Sequence, residues 1–98
     1  MSGLRVERRL RDVQRRLSAA RESLRILVEQ LDVWTEDYED ARLRSLMSET
    51  PQSEHEFGEI RRHYDLAVRE RQRLEHEIAS LVTERDELLR EWTPKEVS

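Results

Sequence analysis

The sequence contains no cysteine. That excludes a disulfide framework, a thiolate nucleophile and a thiolate metal site, and it fits a reducing compartment. Glycine and proline number two each, so turns have little punctuation and there is no glycine-rich loop to cradle a phosphate. Only five residues are aromatic: Trp34, Trp92, Tyr38, Tyr64 and Phe57. No apolar run approaches the roughly 18 residues needed to span a bilayer. Lysine is nearly missing as well, with 17 Arg against one Lys, a bias that reads as the imprint of a GC-rich genome rather than of nucleic-acid chemistry.

What is present is charge. Charged residues make up 41% and apolar residues 36% of the 98, too polar for a layered core but normal for long helices that bury only a seam. Residues 1–25 carry eight Arg, a density that resembles a transit peptide. Glu7, Asp12 and Glu22 interrupt that charge and the apolar spacing runs on past it. The stretch therefore reads as the first part of a helix, and the protein as cytoplasmic.

The apolar residues step by three and four. From about Leu4 to about Met47 they run Val6, Leu10, Val13, Leu17, Ala20, Leu24, Leu27, Leu31, Trp34, Tyr38, Ala41. From about Ser53 to about Trp92 they run Phe57, Ile60, Tyr64, Ala67, Arg71, Leu74, Ile78, Leu81, Arg85, Leu88, Trp92. Both are coiled-coil seams, with Leu10, Leu17, Leu24, Leu31 and Tyr38 at position a of the first and Phe57, Tyr64, Arg71, Ile78, Arg85 and Trp92 at position a of the second. The first helix would be about 65 Å long, and a helix of that length needs a partner along its seam. Ser48-Glu49-Thr50-Pro51-Gln52-Ser53 separates the two. Thr50 can cap with Pro51 at the first helical position, and Ser53 with Glu56 is an alternative capping box. Thr93-Pro94 ends the second helix, leaving a tail at 93–98.

Folding back at Pro51 brings the seams into register. Position a then meets a at Leu10–Trp92, Leu17–Arg85, Leu24–Ile78, Leu31–Arg71 and Tyr38–Tyr64. Position d meets d at Val13–Leu88, Ala20–Leu81, Leu27–Leu74, Trp34–Ala67 and Ala41–Ile60, and three of these layers set Ala against a larger side chain, as interdigitating layers should. The charges fit the same fold. The Arg-rich start lies beside Glu84, Asp86, Glu87 and Glu91, Arg69, Arg71 and Arg73 face Glu29 and Asp32, and Arg61 and Arg62 face Glu39 and Asp40. The predicted fold class is all-α, an antiparallel two-helix coiled-coil hairpin. Off-seam apolar residues (Ala19, Ile26, Val33, Val68, Val82, Leu89) predict further packing, and hence dimerisation into a four-helix assembly.

Candidate chemistry is sparse. Residues 36–59 hold eight acids and two Arg, a formal charge of −6. Leu43, Leu46 and Met47 lie past the last clean heptad with Phe57 opposite, an apolar cap among acids that either seals the hairpin end or is a contact surface. The candidate partner-binding residues are Leu43, Leu46, Met47, Glu49 and Phe57. His55, Glu59 and His63 share one helix face, a spacing that can hold a metal, but three exposed ligands make a weak set, and no metal or other cofactor is expected. The Glu-x-x-His pattern of di-metal bundles is absent, and so is a second His to close a zinc-protease motif. Two helices enclose no catalytic pocket, so the reading is not an enzyme. The acidic partner helix neutralises the Arg-rich start, which argues against nucleic acid and anionic lipid as partners.

Two resemblances follow. A first helix, an acidic tip near the middle of the chain and a returning second helix resemble the coiled-coil arm of Gre-type transcript-cleavage factors, an arm also similar to that of seryl-tRNA synthetases. The resemblance implies entry into the RNA polymerase secondary channel, with carboxylates presented to the catalytic magnesium from among Asp37, Glu39, Asp40 and Glu49. The stretch Asp40-Ala41-Arg42-Leu43-Arg44-Ser45-Leu46-Met47-Ser48-Glu49-Thr50-Pro51 is similar to that of small actinobacterial coiled-coil proteins. That resemblance covers most of the chain and implies no activity. The expectation from the residues is a non-enzymatic adaptor or regulator that binds a protein through the tip. The alternative is a polymerase-channel regulator.

Overall fold

The structure, a computed structural model, describes residues 2–92. These form two helices, α1 (Ser2–Ser48) and α2 (Pro51–Trp92), joined by Glu49 and Thr50 alone. The chain is an all-α helical hairpin. The expected stop at Thr93-Pro94 lies outside the described residues. No helix among the described residues is long and apolar enough to cross a membrane.

The link is shorter than the 48–53 span expected, and the chemistry of its two residues shows why. The amide of Glu49 donates to the carbonyl of Ser45 at 3.2 Å, continuing the α1 hydrogen-bond pattern by one residue. Glu49 then takes φ 47°, the left-handed conformation in which helices commonly end, although glycine usually occupies it. Thr50 caps α2. Its Oγ1 accepts from the Ser53 amide at 3.1 Å, while the Ser53 Oγ accepts from the Thr50 amide at 3.3 Å. This is a reciprocal capping box with Ser in the place usually held by Glu or Gln. Pro51 follows at the first helical position, where its missing N–H costs nothing. Glu54 closes the first turn by donating from its amide to the Thr50 carbonyl at 3.1 Å. The start at Thr50-Pro51 therefore prevails over the alternative at Ser53 because it satisfies these amides without unwinding a turn.

Among the described residues the helices pack within two compact units, one of 2–24 with 74–92 and one of 25–73. In the first, Val6, Val13, Leu17, Ala20, Leu74, Leu81 and Leu88 are buried, all of them seam positions. Leu10, Leu24, Ile78, Arg85 and Trp92, all at position a, are half-buried. Arg9 donates to Glu84 across the pair at 3.1 Å, as expected of the basic start beside the acidic end of α2.

In the second unit Leu31, Ala41 and Ala67 are buried. The Tyr38 and Tyr64 rings stack with centroids 4.9 Å apart, which is the predicted a-to-a layer. Phe57 joins this layer, its ring 5.5 Å from that of Tyr38. Arg42, Arg61 and Arg62 pair locally here. Arg61 approaches Asp65 at 3.9 Å, Arg42 approaches Glu39 at 3.8 Å, and Arg62 donates to the Gly58 carbonyl. Partners one turn along the same helix lie within easy reach of an Arg side chain, so the expected pairing of Arg61 and Arg62 with Glu39 and Asp40 gives way to them.

Position a is the shallower of the two layers. It carries the bulky Tyr38, Phe57, Tyr64 and Trp92 and two Arg, which a single facing helix covers only in part. Arg85 keeps its stem at the seam and turns its guanidinium out to Asp86 at 3.4 Å, the snorkelling expected of an Arg on an apolar stripe.

Candidate functional site

The last three turns of α1 and the first four of α2 hold nearly every residue singled out from the sequence. Leu43, Leu46 and Met47 fall on α1 positions that point away from the seam. They are 56%, 63% and 83% exposed. Apolar side chains that sealed the hairpin end would be covered, and these are open to solvent. Phe57 is half-buried, its ring beside that of Tyr38. Glu49 is exposed at the turn itself.

Asp37, Glu39 and Asp40 are also exposed. They lie nine to twelve residues before Glu49, which at 1.5 Å per residue sets them about 13–18 Å back from the turn. Of the carboxylates considered for a channel factor, Glu49 alone stands at the end of the hairpin.

Of the His55, Glu59, His63 set, the structure brings His55 and Glu59 together and packs His63 against Trp34. His55 Nε2 lies 3.2 Å from Glu59 Oε1. The His63 ring meets the Trp34 ring edge-on with centroids 4.5 Å apart. Among the described residues no group of three His, Cys, Asp or Glu is placed to hold a metal ion.

The fold also assembles a feature that the linear sequence does not announce. Trp34, Asp37, Asp40 and Arg44 on α1 and Glu59, Ile60 and His63 on α2 line an open hollow of about 390 Å³. Its floor is Trp34 and Ile60, both half-buried, and its rim is charged. The spacing 34, 37, 40, 44 does mark one helix face in the sequence. Joining it to 59 and 63 requires the hairpin register.

A second groove, of about 630 Å³, lies in the other unit. Leu10, Gln14, Arg85, Leu89 and Trp92 are among its lining residues. It is the open side of the shallow a layer.

One electrostatic effect stands out. The Arg73 guanidinium hydrogen-bonds the Glu70 carboxylate at 2.6 Å and, with its charge, holds that carboxyl below the ordinary value of 4.5 against a smaller opposing cost of desolvation. Both residues belong to one helix face, so the pair reports local helix order rather than an active site.

Compared with protein-family models, curated proteins and solved structures, the chain matches none.

Proposed function

We propose that this chain is a cytoplasmic, non-enzymatic adaptor or regulator that binds a partner protein through the end of the hairpin. The observation that carries the reading is the exposure of Leu43, Leu46 and Met47 within a strongly acidic region. Three large apolar side chains grouped on one exposed helix surface, rimmed by charge, are what a contact surface needs and what a solvated helix end avoids. Methionine suits such a surface because its unbranched side chain adapts to the shape of a partner.

The polymerase-channel reading draws on the same end but needs carboxylates at its extreme. The set-back of Asp37, Glu39 and Asp40 supports the adaptor reading over it. The proposal also includes a homodimer formed through the flanks. Its support is the half-covered a layer together with the exposed Ile26, Val33 and Leu89. Val28, absent from the stripe read in the sequence, is exposed as well.

The test is a crosslinking experiment in the native host with a photoreactive residue at Met47, run beside the Leu46→Glu, Met47→Glu double variant carrying the same probe at Leu43. A discrete partner crosslinked at Met47 and lost in the double variant is the expected result. Crosslinking that the double variant leaves intact refutes the tip as the binding end. Sedimentation velocity across a range of concentrations tests the dimer, and a single monomeric species throughout refutes it.

A further inference from the structure

We infer that the hollow around Trp34 receives an arginine or lysine side chain of a basic segment on the partner protein. This rests on the tip as the protein-binding end and names the chemistry of what binds there. The floor of the hollow is apolar, formed by Trp34 and Ile60, and its rim carries Asp37, Asp40 and Glu59 against Arg44. With His63 neutral the formal charge of this lining is −2. A site with an apolar floor and an anionic rim complements a side chain with an apolar stem and a cationic head, and Lys and Arg alone combine the two. An indole attracts a cation within about 6 Å of its ring, and the His63 ring that meets Trp34 edge-on at 4.5 Å shares the lining with it. A volume of about 390 Å³ lies in the ~300–1,000 Å³ range of sites that enclose small groups. The carboxylates of Asp37, Asp40 and Glu59 are exposed, so an incoming charge reaches them from solvent, with Glu59 also held by His55 at 3.2 Å. A bare metal ion fits less well, because no three ligands converge and an apolar floor offers it nothing.

The hollow adjoins the apolar contact surface. Asp37, Asp40, Arg44 and Met47 follow one another at three- and four-residue steps along α1, so they share a face. The segment that fits this face therefore carries a cation next to apolar residues. The formal charge of −6 over residues 36–59 steers such a segment to the tip and speeds its association.

The experiment uses the full chain with Trp92→Phe, which leaves Trp34 as the sole indole. It is titrated with a capped peptide of alternating arginine and alanine, and separately with the same peptide carrying glutamate for arginine. A saturable change in Trp34 emission with the arginine peptide alone is expected. Asp37→Asn with Asp40→Asn weakens it about tenfold, the sum of two rim charges near 0.7 kcal/mol each. Glu54→Gln with Glu56→Gln removes the same charge from outside the hollow and changes affinity by no more than about twofold. Equal losses in the two pairs would mean a diffuse field and overturn the inference, and so would an unresponsive Trp34. Self-association of the chain that is abolished by Asp37→Asn with Asp40→Asn would overturn it in favour of a second copy as occupant. The Leu46→Glu, Met47→Glu variant separates the two proposals. Peptide binding retained there, with partner crosslinking also retained, sinks the apolar tip surface and leaves the hollow standing.

Discussion

Leu17 is the sharpest test of the seam. It has no solvent exposure and sits in the same unit as buried Val13, Ala20, Leu81 and Leu88. Leu17→Ala removes buried methyl groups and leaves a cavity, a change that costs about 2–5 kcal/mol in well-packed cores. Two helices can close over a void more readily than a layered core can, which places the expected loss at the lower end, about 2–3 kcal/mol. A domain of this size has about 5–15 kcal/mol in total, so the variant still folds. Its melting temperature should fall by roughly 10–20 °C. Urea unfolding followed by far-UV circular dichroism gives the free energy directly, and an unchanged slope with denaturant would show that only stability moved. The matched control is Leu46→Ala, the same chemical change at a side chain that is 63% exposed, where surface substitutions stay within about 0.5 kcal/mol. A loss below about 1 kcal/mol at Leu17, or one no larger than at Leu46, would refute the seam.

Other consequences follow from the link and the helix surfaces. Thr50→Ala removes the acceptor for the Ser53 amide and should cost about 1 kcal/mol; Thr50→Ser should restore most of it, and the same urea assay reads both. Glu49→Gly should stabilise the hairpin by about 0.5–1 kcal/mol, because φ 47° burdens any residue with a Cβ; a destabilised variant would show that the Glu49 side chain outweighs its backbone. The Glu70 carboxyl titrates below its ordinary value because of Arg73. Its contribution to stability is therefore complete above the unfolded carboxylate pKa and disappears as the pH falls through the lowered folded one. NMR titration of the Glu70 side chain should show this, and Arg73→Gln should return the group towards 4.5.

Both helices, the residues of their seams and the place of the fold-back were legible because coiled-coil packing is written in residue spacing. Every third or fourth residue must be apolar for the seam to close, and each of the seam residues is buried or half-buried. Tyr38 and Tyr64 met as their positions required. The turn was legible in kind but not in length. Thr50 and Ser53 were both recognisable caps, and choosing between them depended on two hydrogen bonds that need coordinates. The spacing of His55, Glu59 and His63 likewise did not fix where their side chains go. Spacing puts side chains on one face, whereas their rotamers answer to neighbours, and Trp34 on the other helix takes His63.

The sequence alone determined the helical periodicity, the fold-back at Pro51 and the acidity of the tip, because each depends on residues close together along the chain or on a repeat. The tertiary structure alone decided how deep each layer lies and what the tip presents. Position d closes over small and branched side chains except at Leu27, Trp34 and Ile60, while position a, buried at Leu17 and Leu31, is elsewhere held partly open, with four aromatic rings and two Arg among its residues. Leu43, Leu46 and Met47 reach solvent because α2 covers a single face of α1. The hollow at Trp34 exists only where residues 34–44 meet residues 59–63, a meeting that no local pattern encodes.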